Sequence, residues 1–377
     1  MNKVKNNKLV FLILSMVLLF GGCKKVESID NPKALTTSPS PISSITVAPT
    51  IPPTVKPSAT PTIEVIPAPT VTPIIHTLTT EELSMEAYEK FMKNEMKVSF
   101  DRYMPRNDRE EDLYKKGSQY TLSELLKIVT EHYLNNSANK QIEFIDYSYI
   151  DCGKDRVNEL ILRFNGMDIN DKDDDSTLVY IIKYVDEKLF VCYYYETWAR
   201  SESTINEYGY IQSSGSNGAS NHTTEYSLVD KDGNWQFIVS VESELDVNML
   251  YFSDELGQIP QVAESKGISG EIELDTICFN KNENVANSDE IGNEECFYTF
   301  YVYDDNWELI EDESLYTHSK YKEIFEEALV PFITPEEVSN MISEKEEKAG
   351  ATADIKEGAE IIWKSFSENI FSDYVVR

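Results

Sequence analysis

The stretch YIDCGKDRVNELILRF (149–164) sets Asp151, Asp155 and Glu159 around a glycine, just ahead of an apolar run. Carboxylates at such spacing are how a loop gathers calcium, which needs several oxygen ligands, a Gly at the sixth position and a bidentate Glu at the twelfth. Counted from Asp151, the third position is Gly153, the sixth Arg156 and the twelfth Leu162. Asp151, Asp155 and Glu159 are therefore a candidate calcium set with few ligands. The competing reading is a turn between two strands. There Asp151 and Asp155 accept from backbone N–H groups, and Glu159 pairs with Arg156 or Arg163. The spacing favours the turn. The acidic run MDINDKDDDST (167–177) fails the same count, with Ser176 where Gly is wanted, and reads as a solvated loop. DKDGNW (230–235) reads as a turn in which Gly233 takes a positive φ.

Nucleophilic and metal-hydrolytic signatures do not occur. The four histidines, His76, His132, His222 and His318, form no H-E-x-x-H pattern and stand beside no Cys in a recognisable arrangement. No Ser lies in G-x-S-x-G, and no glycine-rich phosphate loop is present. The loop GSNGASNH (215–222) is the most suggestive one. Asn217 and His222 can hydrogen-bond, and Tyr208, Tyr210 and Trp198 supply aromatic faces nearby in sequence. Ring faces that stack on a sugar, with polar groups that meet its hydroxyls, make a glycan site. The plainer alternative is a hairpin loop beside core aromatics. A carboxylate pair for glycoside hydrolysis cannot be singled out among 66 acidic residues.

Charge narrows the partners. Residues 79–377 carry 27 basic against 63 acidic side chains, a net of −36. Such a surface repels nucleic acid and anionic polymers, so nucleic-acid binding is not expected. Cys152, Cys192, Cys278 and Cys296 match no zinc pattern. In an exported chain Cys278 could bridge to Cys296, or Cys152 to Cys192; a buried free thiol at Cys192 is an equal alternative.

The elements that must position these residues follow from pattern. Thr79 with Glu82 and Thr121 with Glu124 are capping boxes. Met85, Tyr88 and Met92 follow the first, and Leu122, Leu125, Leu126, Val129 and Tyr133 share a face after the second. From residue 142 to about 309 the period becomes two. Hairpins are expected around 186–188, 231–234 and 304–306, with Trp235 and Trp307 packing across the last two. Helices return with a stripe of Tyr321, Ile324, Phe325, Ala328 and Leu329. Another starts at Thr334-Pro335-Glu336-Glu337 and is capped by Gly350. A last is expected on Ile355, Ala359, Ile362, Trp363 and Phe366. The class is α+β: a central antiparallel β-sheet built from hairpins, flanked by N-terminal and C-terminal helices.

Ahead of this domain the chain changes character. Lys3, Lys5 and Lys8 precede an apolar run from Leu9 to Phe20, the right length for a signal peptide and too short to span a bilayer. The run ends in Phe20-Gly21-Gly22-Cys23, which resembles the lipobox of bacterial lipoproteins, with Phe20 where that family usually has Leu. The resemblance implies a signal peptide over 1–22 and a fatty-acylated Cys23. It also implies attachment to the outer face of the cell membrane by that lipid anchor. Between residues 31 and 78 lie 11 of the 15 prolines and no Gly, Phe, Tyr or Trp. Residues 23–78 therefore read as a semi-stiff, disordered tether, and 79–377 as one acidic domain. The segment Y-x-D-x-G-x-D-x-x-x-E-L (149–160), with AYEKFMKNEMKVSF (87–100) and YTLSELLKIV (120–129) before it, resembles uncharacterised surface lipoproteins of Gram-positive bacteria. Those proteins carry a D-x-D-G-D-G-x-x-E-L turn, which is degenerate here. That resemblance implies no activity.

Taken together, the expectation is a lipid-anchored surface protein acting as a binding or structural module, for extracellular glycan, cell-wall material or a protein. Its alternatives are an extracellular enzyme on polysaccharide and a calcium-stabilised scaffold. No cofactor is expected other than calcium.

Overall fold

A computed structural model describes residues 78–102, 114–134, 141–167, 176–253, 256–268, 272–280, 296–304, 306–366 and 371–376. Cys23, the signal peptide, nearly all of the tether, His76 and the acidic run at 168–175 lie outside them. The described residues belong to one compact unit.

The fold is α+β, and its hairpins build two antiparallel-rich sheets rather than one. The first holds seven strands in the order β13-β3-β4-β5-β6-β1-β2, and the second six in the order β12-β11-β10-β9-β8-β7. In the first, β1 is Val98–Ser99, β2 Gln119–Tyr120, β3 Phe144–Ile150, β4 Glu159–Met167, β5 Ser176–Val185, β6 Lys188–Thr197 and β13 Lys364–Phe366. In the second, β7 is Ser201–Ile205, β8 Tyr210–Ser216, β9 Asn221–Val229, β10 Trp235–Glu244, β11 Ile272–Cys278 and β12 Cys296–Val302. The helices are α1 (Thr80–Met92), α2 (Leu122–Tyr133), α3 (Gln258–Ser265), α4 (Lys320–Glu327), α5 (Pro335–Ala349) and α6 (Ala353–Lys356). Among the described residues no helix is long and apolar enough to cross a membrane.

Burial on both faces explains why β4, β5 and β6 read as nearly unbroken apolar runs. One face, with Leu160, Leu162, Tyr180 and Ile182, packs against Tyr88 and Phe91 of α1 and Leu125 and Val129 of α2. The other, with Ile161, Val179, Ile181 and Tyr193, meets Ile205, Ile211 and Val229 of the six-stranded sheet. The two sheets thus share a core. The six-stranded sheet is covered by α5 through Val338, Met341 and Ile342, and by α3 and α4 through Ile259, Ala263, Ile324 and Phe325.

The three Thr–Glu capping boxes form as expected at Thr79, Thr121 and Thr334. Gly350 closes α5 in the left-handed conformation. Asp186 and Glu187 both take positive φ and join β5 to β6. Cys278 and Cys296 face each other across β11 and β12 and are disulfide-bonded, while Cys152 and Cys192 are buried free thiols.

Several expectations are corrected. The segment after α6 is extended, not helical: β13 pairs with β3, Ile361 and Trp363 pack into the inter-sheet core, and Ile362 is exposed. Its apolar residues fit a period of two as well as a helical stripe, and the free edge of β3 selects the strand. Leu329 does not join the stripe of α4, which stops at Glu327. It stands exposed at φ 60°, and Val330 turns inward instead. Helix α3 falls inside the region read as strands. Trp235 stacks on Tyr193 of the other sheet at 5.1 Å rather than only across its own hairpin. Trp307 does meet Tyr303 across its own turn, though at the surface.

Candidate functional site

Three turns and the first turn of α1 meet at one end of the seam between the sheets. The turn at 151–158 behaves as a strand-linking turn. Asp151 Oδ1 accepts from the Arg156 N–H at 2.9 Å, and Asp155 Oδ1 from the Val157 N–H at 2.8 Å. Helix α1 holds this turn from above. Glu81 accepts from the Asn158 backbone and side chain, and the Tyr88 hydroxyl donates to the Asn158 carbonyl at 2.9 Å. The same hydroxyl accepts from the Tyr184 N–H at 3.0 Å and so ties β5 to the turn.

Glu159 does not pair with Arg156 or Arg163. It opens β4 on the face turned to the other sheet and is fully buried. There it forms an ion pair with Lys183 of β5 and accepts from the Cys152 N–H at 2.7 Å. Arg163 pairs with Asp146, its direct cross-strand partner on β3, because it stands four residues, roughly 13 Å, further along the same face of β4. Burial pushes the Glu159 carboxyl up to about 7 against the pull of Lys183. Burial lowers the Lys183 amine, but the adjoining carboxylate outweighs it and the net shift is upward. Cys192 is pushed up to about 12 by burial and then by Glu159, and Cys152 is raised in the same way. Both thiols are thus protonated near neutral pH and are poor nucleophiles.

Two glycines let the turns close on this pair. A Cβ at Gly233, whose φ is +77°, would sit 2.8 Å from Cys192 Sγ and 2.9 Å from Lys183 Cδ. One at Gly153, φ +70°, would lie 2.5 Å from the Lys231 nitrogen. A cleft of about 470 Å³ opens outside the closed pair. Its charged lining is Arg102, Lys183 and Lys231 against Asp155, Asp186 and Asp232. The Arg102 guanidinium lies 5.0 Å from the Phe190 ring centre and donates to the Asp232 carbonyl at 3.0 Å.

The calcium set is not gathered into a cage: Asp151 and Asp155 hold their own turn, and Glu159 faces inward to Lys183. Among the described residues no three His, Cys, Asp or Glu side chains cluster as metal ligands. The proposed glycan residues are also spread out. Tyr210 lies at the start of β8, stacked with Tyr226 at 6.2 Å, and its hydroxyl donates to Glu346 at 3.3 Å. Tyr208 carries Lys154 over its ring at 4.8 Å. Asn217 is at the far tip of the same hairpin and donates to Asn221 at 2.9 Å and Thr223 at 2.8 Å. His222 is exposed opposite Ser216. Six strand steps, roughly 20 Å, separate the tyrosines from that tip. Trp198 is 39 % exposed where β6 ends. The Ser216 hydroxyl donates to the Gly218 carbonyl at 2.6 Å and closes the loop.

Lys183, Arg102, Asp186, Lys231 and Asp232 were not singled out from sequence. Lys183 had a signal: it is the one charge inside the run Leu178–Val185, and a charge in a doubly buried strand needs a partner. The cleft residues had none, since loops far apart in sequence bring them together. Comparison with protein-family models, curated proteins and solved structures found no match.

Proposed function

We propose that the chain is a lipid-anchored surface protein whose folded head is a binding module. Its ligand, a small molecule carrying both charges such as a cell-wall peptide fragment, docks in the cleft outside the Lys183–Glu159 pair. One observation carries this reading. In a domain with a net charge of −36, the cleft keeps Arg102 and Lys231 beside Asp155, Asp186 and Asp232, with Lys183 taken up by Glu159. Charges of both signs in a concave site of this size suit a zwitterion, which an acidic surface alone would only half attract. The chemistry around the cleft favours binding over turnover, because the nearby thiols are protonated and Lys183 is occupied by Glu159. The lipobox-like Cys23 and the proline-rich tether support presentation outside the cell, a distance from the membrane.

The test uses the mature lipoprotein in detergent micelles. Muropeptides, short zwitterionic peptides and neutral oligosaccharides are titrated into it. Binding of the first two, weakened at least tenfold in Lys231→Glu and in Asp232→Lys, is the expected result. Binding of neutral sugars alone, or affinity indifferent to both changes, would remove the cleft from the proposal. Labelled palmitate incorporated into the native chain but not into Cys23→Ser checks the anchor.

A further inference from the structure

Four carboxylates are buried among the described residues: Asp146, Glu159, Asp275 and Glu346. Three of them pair with a basic side chain, Asp146 with Arg163, Glu159 with Lys183 and Glu346 with Lys356. Asp275 instead faces a second acid. It lies on β11 two residues from Glu273, on the same face of the strand, and the two carboxyl groups hydrogen-bond each other.

The sheet register shows what surrounds them. Ser216, His222, Ser243, Asp275 and Thr299 stand directly opposite one another across β8 to β12, and so point to one face. Tyr301 is opposite Glu273 on that face. The row on the α5 side, Val241, Ile277 and Phe297, is apolar and packs in one cluster with α5. At Asp275 the face turns to oxygen. The Tyr303 hydroxyl donates to Glu273 at 2.6 Å, and the Ser243 side chain bonds the Asp275 carboxyl. In this row two buried oxygens of the described residues remain without a hydrogen bond, Asp275 Oδ1 and Thr299 Oγ1. Thr299 is fully buried and is the cross-strand neighbour of Asp275.

A buried carboxyl group with no basic partner and one unbonded oxygen, beside an unbonded hydroxyl oxygen, is costly unless a water or an ion satisfies both. We propose that this is a site for a hard cation, calcium, held by the carboxylates of Asp275 and Glu273 and by Thr299 Oγ1, with water completing the six to eight oxygens calcium takes. It is distinct from the 151–159 turn and does not depend on the cleft. Burial and the neighbouring Glu273 raise the Asp275 carboxyl. The other titratable groups facing the pair are His222, Tyr301 and Tyr303.

The experiment titrates calcium chloride into the chelator-treated mature lipoprotein by calorimetry. One site per chain is expected, with a dissociation constant in the ~0.1–1 mM range of extracellular calcium sites. Asp275→Asn and Thr299→Val should each weaken it at least tenfold. The Asp151→Asn/Asp155→Asn double variant should bind as the parent does. Thr299→Val conserves shape, so it carries the test should Asp275→Asn not fold. Equal calcium heats in the parent and Thr299→Val would reduce the effect to counter-ions on an acidic surface and overturn the site. Loss of binding only in the Asp151/Asp155 variant would overturn it in favour of the turn.

Discussion

Glu159 lies on the inner face of the seven-stranded sheet and Asp275 on one face of the six-stranded sheet, and both have lost nearly all contact with solvent. Glu159 is met by Lys183, by a backbone N–H and by turns folded tightly over it. Asp275 is met by another carboxyl group and by a hydroxyl oxygen that bonds nothing. Burial raises both groups to about 7. The same shift therefore marks two different situations. One is an ion pair between neighbouring strands of one sheet, and the other is a buried acid with no basic partner. The presence of a partner, rather than the depth of burial, separates a structural fastening from a candidate ligand site.

The largest expected effect breaks the satisfied pair. Lys183→Met leaves Glu159 buried without its cation and should cost about 3–5 kcal/mol, the usual consequence of removing one member of a buried pair. Asp275→Asn removes a charge that has no basic partner and should be close to neutral, or stabilising, in chelator at pH 8. Denaturant melts of both variants measure this. Equal destabilisation by the two would erase the distinction.

A smaller effect comes from the turn that closes over Lys183. At Gly233 an added methyl meets Cys192 and Lys183 within 2.9 Å, on backbone with φ +77°. Gly233→Ala should cost roughly 2 kcal/mol through overpacking and left-handed strain. The calcium heat assigned to Asp275 should be unchanged, since Asp275 pairs with Ser243 of β10, eight strand steps, roughly 27 Å, from the Trp235 end that Gly233 precedes. A Gly233→Ala variant that also lost calcium binding would show the two sites to be coupled.

Titration distinguishes the pair further. Both acids have folded values above the ordinary carboxylate range, so the folded chain binds protons that the unfolded chain has already released. Between about pH 4 and 7 their contribution to stability falls as pH rises, by at most about 1.4 kcal/mol per pH unit for each group. It is fully present below the unfolded values and is lost as pH passes about 7. Asp275→Asn should remove roughly half of this slope and leave the share of Glu159. A chemical-denaturation series across pH 4–8, in chelator, reads both slopes. An Asp275→Asn profile parallel to that of the parent would place Asp275 outside the titration.

Local chemistry was legible in the sequence wherever it is completed within a few residues. The capping boxes at Thr79, Thr121 and Thr334 and the Asp186-Glu187 turn need only neighbours in the chain, and they formed where expected. So did the roles of Asp151 and Asp155 as acceptors from backbone N–H groups. What escaped depends on distant segments. Glu159 could be seen to want a cation, but Arg156 and Arg163 were nearer in sequence than Lys183, and only the adjacency of β4 and β5 selects the lysine. The division of the hairpins into two sheets follows from burial of both faces of β4 to β6, which a pattern of period two in single strands cannot reveal. The strand at 364–366 was hidden because its apolar residues satisfy two periods at once. Glu273 and Asp275 were two among 66 acidic residues, and they matter through the unbonded oxygen of Thr299 on β12.

Two buried threonines give the finest form of the comparison. Thr130 Oγ1 in α2 donates to the carbonyl of Leu126 or Lys127, each at 3.0 Å, whereas Thr299 Oγ1 bonds nothing. Valine has nearly the shape of threonine without the hydroxyl. At position 130 the change removes a made hydrogen bond and leaves at most one carbonyl acceptor weakened, for a loss of about 1 kcal/mol. At position 299, in chelator, it removes only an unsatisfied polar atom and should gain up to about 1 kcal/mol. With 10 mM calcium present the sign at 299 should reverse relative to the parent, because the parent alone gains the stabilisation of a bound ion, while position 130 stays indifferent to calcium. Melting midpoints of Thr299→Val and Thr130→Val, each with and without the ion, give four numbers. A loss at 299 in chelator as large as that at 130 would mean that the Thr299 hydroxyl already has a partner, and Asp275 would then have no oxygen neighbour waiting for a cation.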